Sequence, residues 1–118
     1  MSKVAMLVLA DTESHADLGR VVNAMTTARE FKQAGDEVQI IFDGAGTQWP
    51  GQLSKGDHRA HALWESVRDV VTGACDYCAE AFDATHSVRE AGVQLLDEYH
   101  RHPSIRNLVD HGYQVISF

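Results

Sequence analysis

Cys75 and Cys78 are the chain's two cysteines, and they stand two residues apart in Gly73-Ala74-Cys75-Asp76-Tyr77-Cys78. Sulfurs at this spacing can close a disulfide, exchange a sulfane sulfur or hold two corners of a metal tetrahedron. The segment reads as the end of a buried strand followed by a helix, so Cys75 is expected to face unpaired backbone amides that favour the thiolate. A shift from about 8.5 to about 7 would raise the thiolate fraction at neutral pH from a few per cent to about half. His58 and His61, three apart on one predicted helical face, are the candidates to supply a compensating charge or relay the proton. Cys75, Cys78, His58 and His61 are thus the catalytic candidates. Set against this, free cysteine packs well as a small core residue. A zinc tetrad of His58, His61, Cys75 and Cys78 has suitable ligand types and number, but a domain with this much apolar core rarely needs a structural metal, and neither metal nor cofactor is expected. The segment lacks the Trp-Cys-Gly-Pro context of thioredoxins, which disfavours that fold.

Other polar residues gather at predicted strand ends. Asp11 and His15 follow the first strand, Asp43 and Gly44 the second, and the stretch from Asp97 to His102 the fourth. With Trp49 and Tyr77 as apolar walls, Asp11, His15, Asp43 and Gly44 form the ligand-binding candidates. Gly44 and Gly46 invite a phosphate-loop reading, but no third glycine falls in step, so a turn accounts for them better. His86 and His111 precede strands and belong on the opposite edge.

Positioning these residues falls to an alternating pattern. Lys3 to Ala10 is a run of strand length, apolar at every position after Lys3. Leu18, Val21, Val22, Met25, Ala28 and Phe31 recur at helical spacing, with Gly35 just beyond as a stop. Val38 to Phe42 is a β-branched second strand; a loop holding Trp49-Pro50-Gly51 follows, and a helix is predicted from about Gly56 to Arg68. Val70 to Ala74 forms the third strand, Asp76 to Phe82 a helix, and Val93 to Leu96 the fourth strand. His102-Pro103-Ser104 opens a last helix before the fifth strand, Tyr113 to Phe118. Alternating strands and helices in one 118-residue domain imply an α/β fold, a three-layer α/β/α sandwich around a five-stranded, mainly parallel sheet, flavodoxin-like in outline. In such a fold the loops after strands share one edge, where ligands bind.

Composition narrows the function classes. Seventeen acidic against ten basic residues leave a net charge of -7, which repels nucleic acid. No apolar run reaches the ~20 residues of a membrane span, and the N-terminal run lacks a cleavage site, so no membrane partner and a cytoplasmic location are expected.

The chain resembles the DsrE/DsrF-like, or YchN-like, family of small sulfur-handling α/β proteins. The resemblance rests on Val4 to Leu9, on Val38 to Gly44 with its aspartate-glycine turn, on Gly73 to Phe82 around the cysteines, and on the closing Gly112 to Phe118. It implies a DsrE-like domain over 1–118, assembled as a homo-oligomer, a trimer or hexamer. It also implies a sulfur relay: a sulfurtransferase-like carrier in which Cys75 accepts sulfane sulfur from a donor protein and passes it to an acceptor. Cys78 lies outside the family's pattern, and the Cys-x-x-Cys spacing leaves it either a resolving thiol or a packing residue. The competing reading is a non-enzymatic small-ligand-binding or assembly module of the same fold with structural cysteines, or a zinc-binding variant.

Overall fold

Parallel pairing organises the chain. The computed structural model describes residues 1–118, with strands β1 (Lys3–Val8), β2 (Glu37–Phe42), β3 (Val71–Cys75), β4 (Leu95–Leu96) and β5 (Gln114–Ser117). All neighbours are parallel, in the order β4-β3-β2-β1-β5. Six helices connect them: α1 (His15–Gln33), α2 (Trp49–Leu53), α3 (His61–Val67), α4 (Asp76–Ala81), α5 (Thr85–Glu90) and α6 (Ile105–Asp110). The architecture is the expected α/β/α sandwich, and no helix is long and apolar enough to cross a membrane.

The layers are unequal, and strand order explains why. From β1 to β4 each crossover steps in one direction, so right-handed connections carry α1 through α5 over one face. The connection from β4 to β5 returns across the whole sheet and carries α6 over the other. Period-two alternation matches this division: Val4, Met6, Val8, Ile40 and Phe42 join a 20-residue core under the five helices, whereas Ala5 and Ile41 join Leu96 and Leu108 in a cluster of four under α6.

Local chemistry sets the helix ends. Ser14 accepts the Asp17 amide proton at 3.1 Å as the N-cap of α1, and Val21, Ala24, Met25 and Ala28 form its buried stripe. The chain leaves α1 through Gly35 at φ +83°, a conformation that costs other residues their Cβ clearance.

Several boundaries differ from the sequence expectation. The first strand ends at Val8 because the Leu9 and Ala10 amides both turn to the Phe118 carbonyl. The expected Trp49-Pro50-Gly51 loop is the short helix α2, with proline in its first turn where no amide proton is required. The helix expected from Gly56 begins only at His61, since 55–60 form turns that bond His58 to Lys55 and His61 to His58. The third strand runs one residue further, through Cys75, and α5 lies in a stretch that carried no helix expectation.

Gly46 tests the packing beneath the sheet edge. A Cβ there would lie 2.1 Å from the Val8 carbonyl oxygen, whereas one on exposed Gly19 in α1 meets nothing within 4 Å. Gly46→Ala is expected to cost about 2–4 kcal/mol of unfolding free energy because backbone must move. Gly19→Ala is expected to add about 0.5–1 kcal/mol by removing glycine's entropy cost in a helix; denaturant midpoints of the two variants check both signs.

Candidate functional site

Three neighbouring strand ends meet at one point. Asp43 follows β2, Cys75 ends β3 and His102 closes the loop after β4, and these strands are adjacent in the sheet. One ligand-capable atom from each of Asp43, Cys75, Cys78 and His102 lies within 4.8 Å of the others. The carboxyl edge therefore gathers two thiols, an imidazole and a carboxylate.

Cys75 is fully buried and Cys78 partly so, and both thiols are free. Cys75 is the N-cap of α4: its Sγ accepts the Cys78 amide proton at 3.4 Å. The same sulfur lies 3.2 Å from His102 Nδ1 and can donate to the Arg101 carbonyl at 3.7 Å. Two effects compete there. The Cys78 amide favours the thiolate as the sequence suggested, but burial disfavours the charge more strongly, with Cys78 and the Asp43 carboxylate adding to it. Burial wins, and the Cys75 thiol is pushed up to about 12 from its ordinary 9.0. The activated thiolate expected at position 75 is thus corrected to a protonated thiol held between two acceptors. Cys78 is the sulfur nearer to solvent.

His102 is delivered by an unusual turn. Tyr99 and His102 exchange both backbone hydrogen bonds, at 2.9 and 2.8 Å, around a two-residue loop. Its central residues, His100 and Arg101, have φ values of +47° and +67°. Positive φ at both positions is the requirement of a type I′ turn, which usually recruits Asn-Gly. Each such non-glycine residue costs on the order of 1 kcal/mol, so the surroundings must hold the turn. Arg101 does so: its guanidinium bonds Asp76 at 2.9 Å and Glu80, lies 5.7 Å from the Tyr77 ring centroid, and is held protonated by the two carboxylates. Its carbonyl also accepts the Tyr77 amide proton at 2.9 Å. Tyr77, half-exposed, packs its ring against His102 with centroids 5.0 Å apart.

The histidines singled out from sequence lie elsewhere. His58 Nδ1 accepts the Ala60 amide proton at 3.0 Å and its ring meets Trp49 edge-on at 6.3 Å. His61 pairs with the Leu53 carbonyl at 2.8 Å and with Glu65 at 3.5 Å. Both serve the corner between α2 and α3, and the imidazole at the sulfur is His102 instead. Of the ligand-binding candidates, Asp43 and Tyr77 border the cysteines. Asp43 Oδ1 accepts the Gly44 amide proton at 2.8 Å, and Gly44 itself takes φ +54° to start a 3₁₀ turn. Asp11 accepts from Gln48 at 2.9 Å, and Trp49 is a core residue whose Nε1 donates to the Ala10 carbonyl at 2.9 Å. His15 lies with Trp49 and His58 along a separate surface depression of about 490 Å³. The His102 signal was present in the sequence, since 97–102 follows the fourth strand, but its reach to Cys75 depends on β4 lying beside β3.

This geometry defines a small α/β sandwich with a Cys-x-x-Cys, histidine and aspartate cluster at the carboxyl edge of its sheet. No family model and no solved structure matches the chain. An uncharacterized protein of Methanocaldococcus jannaschii is 27% identical over 115 residues, a span covering 97% of this chain and 93% of that protein.

Burial of Cys75 sets a pH dependence. Between about pH 9 and about pH 12 the unfolded chain releases a thiol proton that the native state retains. Stability is therefore undiminished by this group below pH 9 and falls as pH rises through that interval, and Cys75→Ala should flatten the slope of unfolding free energy measured across it. At neutral pH, iodoacetamide should modify Cys78 well before Cys75, as read by peptide mass. The strained turn gives a separate expectation: His100→Gly should raise the unfolding free energy by about 1 kcal/mol, read from a denaturant melt.

Proposed function

We propose that the protein is a thiol-based sulfur carrier, a cytoplasmic homo-oligomer that takes sulfane sulfur from a donor protein and hands it to an acceptor. The observation that carries this reading is the Cys75 Sγ to His102 Nδ1 approach of 3.2 Å, with the partly exposed Cys78 beside it. A proton acceptor and a second thiol within reach of a buried thiol are what stepwise sulfur exchange requires.

Cys78, nearer to solvent, is the first acceptor. Its thiolate attacks the outer sulfur of a donor persulfide, the donor's S–S bond breaks, and the donor leaves as a thiolate. Cys75 then attacks that outer sulfur, its proton passing to His102 Nδ1 in the tautomer protonated at Nε2, and Cys78 is regenerated as a thiolate. The sulfur now rests on a buried persulfide shielded from reductants, and the reverse exchange through Cys78 delivers it. Arg101 and Tyr77 act as positioning residues, because they hold the loop that carries His102. Self-association is supported by two apolar side chains left exposed at the last strand, Ile116 within it and Leu9 beside its end.

Incubation of the reduced protein with a persulfide donor, followed by intact mass, is expected to show a gain of one sulfur atom. Cys78→Ser should lose the gain, and His102→Ala should slow it without changing the fold. A wild-type protein that gains no sulfur, or a Cys78→Ser variant that gains it equally, would sink the assignment.

A further inference from the structure

The geometry points to a four-coordinate site for one zinc-class divalent cation, built from Asp43, Cys75, Cys78 and His102. This inference goes beyond the carrier reading and does not rest on it; it stands on the convergence of four ligand atoms.

Distances and donor types carry it. A tetrahedral zinc ion bound by sulfur at about 2.3 Å, and by nitrogen and oxygen at about 2.0–2.2 Å, sets its ligand atoms roughly 3.3–3.8 Å apart. The Cys75 to His102 pair is already at 3.2 Å, and the whole set lies within 4.8 Å. Closing around an ion requires only small rotations of Asp43, Cys78 and His102, none of which is locked in the core. Two thiolates and an imidazole select a borderline-soft metal over magnesium or calcium, which favour all-oxygen sites.

The supports around the ligands are also those of a metal site. The Cys78 amide bonds Cys75 Sγ, an N–H···S contact that steadies a coordinating sulfur. The Gly44 amide holds Asp43 Oδ1, leaving Oδ2 to bind. His102 presents Nδ1 to the cluster while its ring rests on Tyr77 and its backbone is pinned to Tyr99. Binding replaces the two thiol protons, which pass to the buffer, and the ion supplies the positive charge that the buried sulfur otherwise lacks. All four protein donors are then used, so the site is closed in the manner of a structural or storage centre, and the occupied form shields both thiols.

The experiment is a titration of the reduced, metal-free full chain with Co²⁺ and then Zn²⁺. One equivalent of Co²⁺ is expected to give a thiolate-to-cobalt charge-transfer band with visible absorption typical of tetrahedral coordination, and one equivalent of Zn²⁺ to bleach it and to protect both thiols from iodoacetamide. Cys78→Ser should weaken the charge-transfer band. His102→Ala and Asp43→Asn should each lower Zn²⁺ affinity by at least about tenfold, since loss of even an outer-shell partner commonly costs that much. The His58→Ala/His61→Ala double variant should bind as the parent does. Absence of the charge-transfer band, a weak octahedral spectrum, or affinity unaltered in both His102→Ala and Asp43→Asn would overturn the site. Sulfur uptake is read separately on metal-free protein, so failure of the carrier reading leaves the cobalt spectrum unchanged, and the reverse holds equally.

Discussion

Everything at the site depends on the parallel seating of β3 between β2 and β4. Parallel strands all point their carboxyl ends to one edge, and pairing sets the end of β3 about 5 Å from that of β2 on one side and of β4 on the other. Asp43, Cys75 and the loop bearing His102 are far apart in sequence, and only this pairing makes them neighbours. The strand β4 is two residues long, yet its pairing of Ala74 with Leu95 and Cys75 with Leu96 sets where the 97–102 loop emerges. Gly73 permits that approach: a Cβ at this position would lie 2.5 Å from the Gln94 carbonyl oxygen.

The competition at Cys75 shows which electrostatic effect dominates at such an edge. A backbone amide aimed at the sulfur lowers the cost of its negative charge, but complete removal from water raises that cost more, and a carboxylate nearby adds to it. A strand end buried under a helix therefore differs from an exposed helix terminus even though the local backbone is alike. Of the two thiols, the partly exposed Cys78 is the one that solvent reaches.

The turn at Tyr99 to His102 concentrates strain where the site needs aim. Two consecutive residues with positive φ would not persist in a free loop, and here they are held by the Arg101 guanidinium on Asp76 and Glu80 and by its carbonyl on the Tyr77 amide. These anchors lie on α4, the helix that Cys75 caps. The sulfur and the imidazole are thus referenced to the same short segment of backbone.

Much of this was legible in the residues alone. The apolar run from Val4 to Ala10 and the β-branched Val38 to Phe42 identify strands, the spacing from Leu18 to Phe31 identifies α1, and their alternation dictates a parallel sandwich whose strand ends share one edge. The spacing of Cys75 and Cys78 marks the strand end at which the structure gathers two thiols, an imidazole and a carboxylate. What the chain could not disclose by local pattern was the strand order, because pairing partners are chosen by packing across the whole sheet. Without that order His58 and His61 looked as available to the sulfur as His102, and Asp43 had no particular claim on it. Nor could sequence weigh burial against the amide at position 75, since solvent exclusion there is produced jointly by residues of several elements. The identity of the reactive groups is a property of the chain, and their partners and protonation are properties of the fold.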